Sequence, residues 1–410
     1  MIIAEKADID ALLAVYPDRV IKFGDLHNHT DSGPTADGRM SLTQWKAEMK
    51  RLGMSFAAIV DHKQVAHMYH KDWQDRSTEE SDIVFIGGSE PGSAILDSKA
   101  EQNGFHYNML LNDPEKLLEI VRNNGKFCIK SARYEDFNWS KAFGCTNKVS
   151  TYDPADYSAD PSGIVETWTY PKFTTEEFGA LADTIYEAGG LLVHVHPKYS
   201  SYIISDDPLD YFFGNVMGIE IFTSGNVAYS PSFSRNEDAY QMWVGLLAAG
   251  KRAYATSGCD NHRLPNISCF SNMYASRHPT ADEYMGYIHN GNMTPGWVGI
   301  RMCVGETAMG GKTDFTGKRL VFSVGDMYSH PETKTNELYA EFDPSYDPDR
   351  EYVMQLFNEK ECILEQPVDP GKMNFFALDA DPEVKLYRVV ILDKTQNVRV
   401  GVGNPIWNDK

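Results

Sequence analysis

The chain has 410 residues, 42% of them apolar and 23% charged, which is an ordinary globular balance and excludes extended disorder. Lys and Arg number 38 against 58 Asp and Glu, a formal charge of −20. Such a surface repels the nucleic-acid backbone and anionic membranes, so no nucleic-acid partner and no membrane are expected. The length exceeds what one hydrophobic core supports and predicts two domains.

Along the chain, the first residues carry acids early and no long apolar run, so they do not read as a signal peptide. No segment reaches the roughly 18 apolar residues of a membrane helix. A cytoplasmic location follows by default. The six cysteines show no C-x-x-C spacing and are expected to be reduced, with Cys259 a small buried filler.

Ile21–His27 reads as a strand, and Ser41–Leu52 as a helix opened by Ser41. Ser55–Val60, Ile83–Ile86 and Phe105–Leu111 are short apolar strands, followed by a helix over Pro114–Asn123 and a strand over Lys126–Ser131. Ala132–Pro171, rich in aromatic and polar residues, reads as a long functional loop. Thr175–Ala188 and Glu237–Ala249 are helices; Leu191–Val195, Val216–Phe222 and Arg252–Thr256 are strands. This alternation predicts a parallel sheet or barrel. From about residue 300 the pattern changes to short alternating strands: Lys318–Val324, Glu337–Phe342, Glu351–Asn358, Lys372–Ala377 and Val384–Asp393. They predict an antiparallel β-sandwich. The expected division is 1–300 and 301–410.

There are 12 histidines, and five of them fall in ligand pairs spaced two apart: His27-Asn28-His29, His194-Val195-His196 and Asp260-Asn261-His262. Each pair closes an apolar strand, where positions two apart face the same way. Asp61-His62 and Glu90 also follow apolar strands, whereas His106 opens one. Strand ends of an α/β barrel converge on one face. So many imidazoles and carboxylates crowded together are costly unless cations compensate them. Mixed N and O donors without a thiolate suit Zn, Mn or Fe. Adjacent ions roughly 3.5–4 Å apart activate water and clamp a displacement. His67 and His70 read as solvent-exposed.

The segments Asp25-Leu26-His27-Asn28-His29-Thr30, Val60-Asp61-His62, Glu90, His106, His196-Pro197 and Gly258-Cys259-Asp260-Asn261-His262 together resemble the polymerase and histidinol phosphatase (PHP) family, in order over residues 20–265. The end of the chain, Val400–Trp407, is similar to the close of the C-terminal sandwich of two-domain members. The resemblance implies a distorted seven-stranded (β/α) barrel, akin to a TIM barrel, followed by a smaller antiparallel β-sandwich. It implies two or three divalent ions held by His27, His29, Asp37, His62, Glu90, His106, His196, Asp260 and His262. His194 is an extra histidine that could replace His196. Asp61 would orient the water or a ligating imidazole.

The implied activity is that of a phosphoesterase or phosphatase cleaving a small phosphomonoester or phosphodiester. Arg133, Lys63, Lys198 and Arg263 are the candidate phosphate-binding cations. The acidic surface and aromatic loop suit metal-assisted cleavage of a glycoside as the alternative. A non-catalytic metal-stabilised binding module is the third reading. The expected partner is a small molecule, and a homo-oligomer stays open.

Overall fold

The structure is a computed structural model that describes residues 3–33, 35–80, 82–97, 102–133, 154–157, 163–197, 207–223, 234–263, 271–329 and 345–410. Most of the long loop expected over 132–171, the strand expected over 337–342, and Lys198 lie outside the described residues.

The first half alternates strands and helices. β1 (Val20–Asn28), α1 (Lys6–Val15) before it, and α2 (Leu42–Arg51) lead into β2 (Phe56–Ile59), β3 (Val84–Ser89), β4 (Gly92–Ile95) and β5 (Gln102–Leu110). After α3 (Pro114–Asn124) come β6 (Ile129–Arg133), β7 (Ile164–Trp168) and β8 (Lys172–Phe173). Then follow α4 (Thr175–Glu187), β9 (Leu191–His194), β10 (Val216–Thr223), α5 (Ser234–Ala248) and β11 (Arg252–Gly258). β12 (Ser271–Ala275), α6 (Ala281–His289) and β13 (Thr294–Pro295) complete this half.

Local chemistry accounts for these boundaries. Ser41 accepts a hydrogen bond from the Gln44 N–H, and Thr174 from the Glu177 N–H, each satisfying a donor that a helix start leaves unpaired. Asp113 does the same for Lys116, with Pro114 at the first helical position and Gly125 ending α3 in the left-handed region at φ 73°. β2 and β3 are buried along their whole length, as their unbroken apolar runs require when a sheet is covered on both faces.

Nine strands form a nearly closed, barrel-like sheet in the order β11-β10-β9-β5-β3-β2-β1-β12-β13. β1-β2-β3 and β9-β10-β11 are parallel. β5 runs antiparallel to both β3 and β9, and β12 antiparallel to β1. The expectation of an all-parallel repeat is corrected here. β5 follows β3 and β4 without a crossover helix, so it can only return antiparallel. Closure is made at the end of β11: Asn261 bridges Asn28, and His29 N–H donates to the Asn261 carbonyl at 2.9 Å.

Beyond this barrel lie separate β-sheets. β14 (Gly299–Val304), β15 (Thr307–Ala308), β16 (Lys312–Thr313) and β17 (Arg319–Gly325) are followed by β18 (Tyr352–Phe357), β19 (Cys362–Val368) and β20 (Asn374–Asp379). β21 (Leu386–Asp393), β22 (Val398–Val402) and β23 (Ile406–Asn408) end the chain. One sheet is ordered β15-β14-β17-β20, and the other β16-β23-β21-β18-β19 with β22 on β21. Their apolar faces join the barrel's core in one continuous cluster. Asn404 fastens the two halves, accepting from Ala255 N–H at 2.7 Å and donating to the Ala255 and Met293 carbonyls. α1 packs on the second half, with Leu12 and Tyr16 against Cys303, Val321 and Ala377. Among the described residues no helix is long and apolar enough to cross a membrane.

Candidate metal centre

The strand ends of the barrel bring nine of the sequence-singled residues to one place. β1 carries His27 near its end and runs on to His29; β2 runs into His62, β3 into Glu90, β9 into His196, and β11 into Asp260 and His262. His106 stands within β5 and Asp37 on the loop after β1. Three overlapping donor groups result: His29, Asp37, His62 and His262; His27, His29, Glu90 and Asp260; and His62, Glu90 and His106.

Glu90 is the hub. Its Oε2 lies 3.2 Å from His27 Nε2, 3.0 Å from His29 Nε2 and 3.5 Å from His62 Nδ1. Its Oε1 lies 2.9 Å from His106 Nδ1 and 3.2 Å from His196 Nε2. Asp260 Oδ1 is 3.4 Å from His27 Nε2 and 3.2 Å from His29 Nε2. Asp37 Oδ2 is 3.3 Å from His62 Nε2 and 3.1 Å from His262 Nε2.

These separations fit a metal better than direct pairing. Two donors about 2.1 Å from one ion at a tetrahedral angle lie roughly 3.4 Å apart. His27 Nε2, both nitrogens of His29, and Glu90 Oε2 are buried and make no hydrogen bond, although carboxylate and imidazole atoms stand 3.0–3.7 Å away. They converge on shared points and not on one another. A buried polar atom left so is costly unless something else satisfies it. No cysteine enters any group among the described residues, so the donors are imidazole and carboxylate alone.

The carboxylates and imidazoles also act strongly on one another. Burial works against charge on His27, but Glu90, Glu220 and Asp260 overcome it and raise its pKa well above the usual imidazole value. Glu90, buried too, is held well below the ordinary carboxylate range by His27, His62 and His106. Burial pushes Asp25 up to about 7, against hydrogen bonds from Cys259 and His27.

Residues behind the clustered donors hold them in place. Glu220, within β10, lies 3.1 Å from His27 Nδ1 and accepts the His196 N–H at 2.7 Å. Sequence reasoning missed it. Its signal was an acid in the middle of the apolar run Val216–Thr223, which a buried strand tolerates only if the charge has partners. Asn28 and Asn261, the middle residues of the two ligand pairs, were also missed. Both side chains are turned to a shared network behind the clustered donors: Asn261 Nδ2 donates to Asn28 Oδ1 at 3.0 Å and to Asp25 Oδ2 at 3.1 Å.

His194 and His196 part company. β9 ends at His194, and His196 takes φ 33°, so the alternation that would align them breaks. His196 Nε2 reaches Glu90, whereas His194 Nδ1 faces the Tyr211 carbonyl at 3.2 Å and its ring packs on Phe105. Burial drops the His194 pKa to about 4. Asp61 belongs to none of the donor groups. It accepts Thr30 N–H and Oγ1, both at 2.6 Å, and stands 3.2 Å from His67 Nδ1. His67 is fully buried and His70 nearly so, which corrects their reading as exposed; Asp61 and the ring of Trp73 enclose His67.

Of the candidate cations, Lys63 adjoins His62 and lies under the ring of Tyr170, with Nζ 4.4 Å from the ring centroid. Arg263 is exposed next to His262, and Arg133 is exposed at the end of β6.

No family model and no curated protein matches this chain. Among solved structures it is similar to Endonuclease Q in complex with a 27-mer duplex substrate carrying an abasic lesion at the active site. The identity is 11% and the TM-score 0.35, over 66% of this chain and 56% of that one, so this chain spans little more than half of that chain's length. That structure holds a duplex nucleic acid, against the expectation here of a small phosphoester or glycoside and of no nucleic-acid partner. The expectation of no nucleic acid rested on the charge argument. A total of −20 averages over the whole surface, whereas a bound cation cluster sets the field at its own site.

Proposed function

We propose that the chain is a metal-dependent hydrolase of PHP type that cleaves phosphodiester bonds in nucleic acid. The observation that carries this reading is the sharing of donors: His29, His62 and Glu90 each belong to two of the three groups. Shared donors hold ions side by side, the arrangement suited to phosphoryl transfer.

When bound, such ions polarise phosphoryl oxygens and lower the pKa of water toward neutrality. The residues of this chain supply the rest. Glu90 joins the groups, and Asp260 and Asp37 close the two on either side of His29. Glu220 fixes the ring of His27, and Asp61 fixes the backbone that follows His29. Asp37, His106 and His262 keep 22–28% of their side-chain surface, so the cluster meets solvent on their side. Three divalent ions would bring a charge of +6 against three ligand carboxylates, leaving the filled site positive and matched to a phosphate backbone. Nitrogen and oxygen donors without thiolate suit Mn, Zn or Fe.

The test is reconstitution of metal-free protein with Mn, Zn or Fe, followed by incubation with end-labelled single-stranded DNA, duplex DNA with and without an abasic site, and RNA. Cleavage should require metal and vanish in His27→Ala/His29→Ala. A fully metallated protein that cuts none of these overturns the reading.

A further inference from the structure

Among the described non-glycine residues, six have positive φ: Asp18, Lys63, His196, Asp260, Asp326 and Asn397. Three of them, Lys63 at 53°, His196 at 33° and Asp260 at 52°, stand just past strand ends at the metal centre. His196 and Asp260 lie among the clustered donors. Left-handed backbone is costly for a residue with a Cβ, and it persists where it aims a side chain for function. Lys63 shares this device without being a donor to any group.

Its surroundings are built to hold it. The Lys63 carbonyl accepts the Trp168 N–H, and the next residue's N–H donates to Ser89 Oγ at 3.2 Å. Tyr170 lies over the ammonium at 4.4 Å and runs nearly parallel to the His106 ring, 16° between planes. Beneath Tyr170 is Gly92; a Cβ there would come within 2.0 Å of Cε1, so only glycine lets the ring lie down. The segment is pinned on both sides, by Thr169 N–H to the Cys128 carbonyl and Ala94 N–H to the Pro171 carbonyl. Yet 49% of Tyr170 stays exposed, and His106 beside it keeps 22% of its side-chain surface.

We propose that Lys63 and Tyr170 form the substrate-positioning element of this site. The Lys63 ammonium engages a non-bridging oxygen of the phosphodiester, and the Tyr170 ring stacks on the base beside it. This rests on the nucleic-acid reading above. An ammonium serves as a point charge for phosphate, and every base has a face that can stack on an aromatic ring, whatever the sequence. Arg133 and Arg263 are both exposed.

The test uses full-length protein in four forms: wild type, Lys63→Met, Tyr170→Ala and Tyr170→Phe. Metal content and thermal midpoint are measured first, since a merely structural role would move them. Binding of a fluorescent single-stranded oligonucleotide is then followed by anisotropy with Ca, and turnover with Mn. Tyr170→Ala should weaken binding about tenfold and raise KM by more than it lowers kcat, and Tyr170→Phe should recover that binding. Lys63→Met should lower kcat/KM roughly 10- to 100-fold with metal content unchanged. Equal binding by wild type, Lys63→Met and Tyr170→Ala overturns the proposal, as does wild-type protein that binds no oligonucleotide. Binding lost in the variants when wild type binds but does not cut supports the positioning element and defeats only the hydrolase reading.

Discussion

Glu220 joins two histidines from distant parts of the chain: it stands 3.1 Å from His27 Nδ1 and accepts the His196 N–H at 2.7 Å. The contact to His27 fixes which ring nitrogen faces Glu90 and Asp260, and the contact to His196 holds a residue in left-handed backbone. A carboxylate in this position raises imidazole basicity and orients the ring. Glu220→Gln should keep the fold and lower metal affinity roughly 10- to 100-fold, read by titration of metal-free protein with Zn against a chelator. Unchanged affinity would show that the ring is held by its packing alone.

Glu90 belongs to two donor groups and His106 to one. Metal content should separate them. Glu90→Gln should remove more than one ion per chain, whereas His106→Ala should remove no more than one, measured by plasma emission on protein loaded with excess metal. Equal losses in the two variants would count against the shared-donor arrangement.

Gly258 ends β11 directly beside β1. A Cβ there would meet His27 Cβ at 2.3 Å and Glu220 Oε1 at 2.6 Å, closer than real atoms approach. Since the first of these is the root of a buried side chain, β1 and β11 must separate. Gly258→Ala should cost about 1–3 kcal/mol of stability and displace His27 from Glu220. A calorimetric scan and metal titration would register both effects. A variant with wild-type midpoint and metal affinity would contradict the close approach.

Asp61 works behind the site. Its carboxylate is fully buried and accepts Thr30 N–H and Oγ1. Asp61→Ala leaves the Thr30 N–H without that acceptor and removes the carboxylate beside His67, and should cost about 3 kcal/mol. Thr30→Val removes only the hydroxyl donor and should cost about 1 kcal/mol. Chemical denaturation of metal-free protein would compare them, and the order Thr30→Val worse than Asp61→Ala would be wrong for this geometry.

At the other end of the chain, Asp8 receives Arg319 through Nε at 2.7 Å and Nη2 at 3.0 Å, tying α1 to β17. The hydrogen bonds from Arg319 hold the Asp8 carboxyl below its usual value of 3.8. A carboxylate whose pKa falls on folding contributes stability that is complete above the unfolded value and is lost as pH falls through the folded one. Asp8→Asn should therefore lower stability by less than about 1 kcal/mol at pH 7, because Arg319 is 45% exposed and the pair is screened. The difference from wild type should shrink below about pH 3.8. Thermal scans of metal-free protein at pH 7 and pH 3 would show it, and a gap that widens on acidification would reverse the sign.

Much of the local order is legible in the sequence because it rests on near neighbours. α2, α3 and α4 begin where Ser41, Asp113 and Thr174 can cap them, and β2, β3 and β10 are the apolar runs that only a covered sheet can bury. The donor types are legible too, since a strand's two-residue period sets His27 with His29 before any fold is known. What the chain order could not tell is set by contacts between residues far apart. Whether His194 or His196 turns inward depends on one left-handed residue that breaks the pleat. That Asp61 serves Thr30 and His67 and joins no donor group depends on where β2 lies beside β1. The role of Glu220 exists only because β9, β10 and β1 meet. A side chain's identity is local, but its direction is decided by the strand that happens to face it.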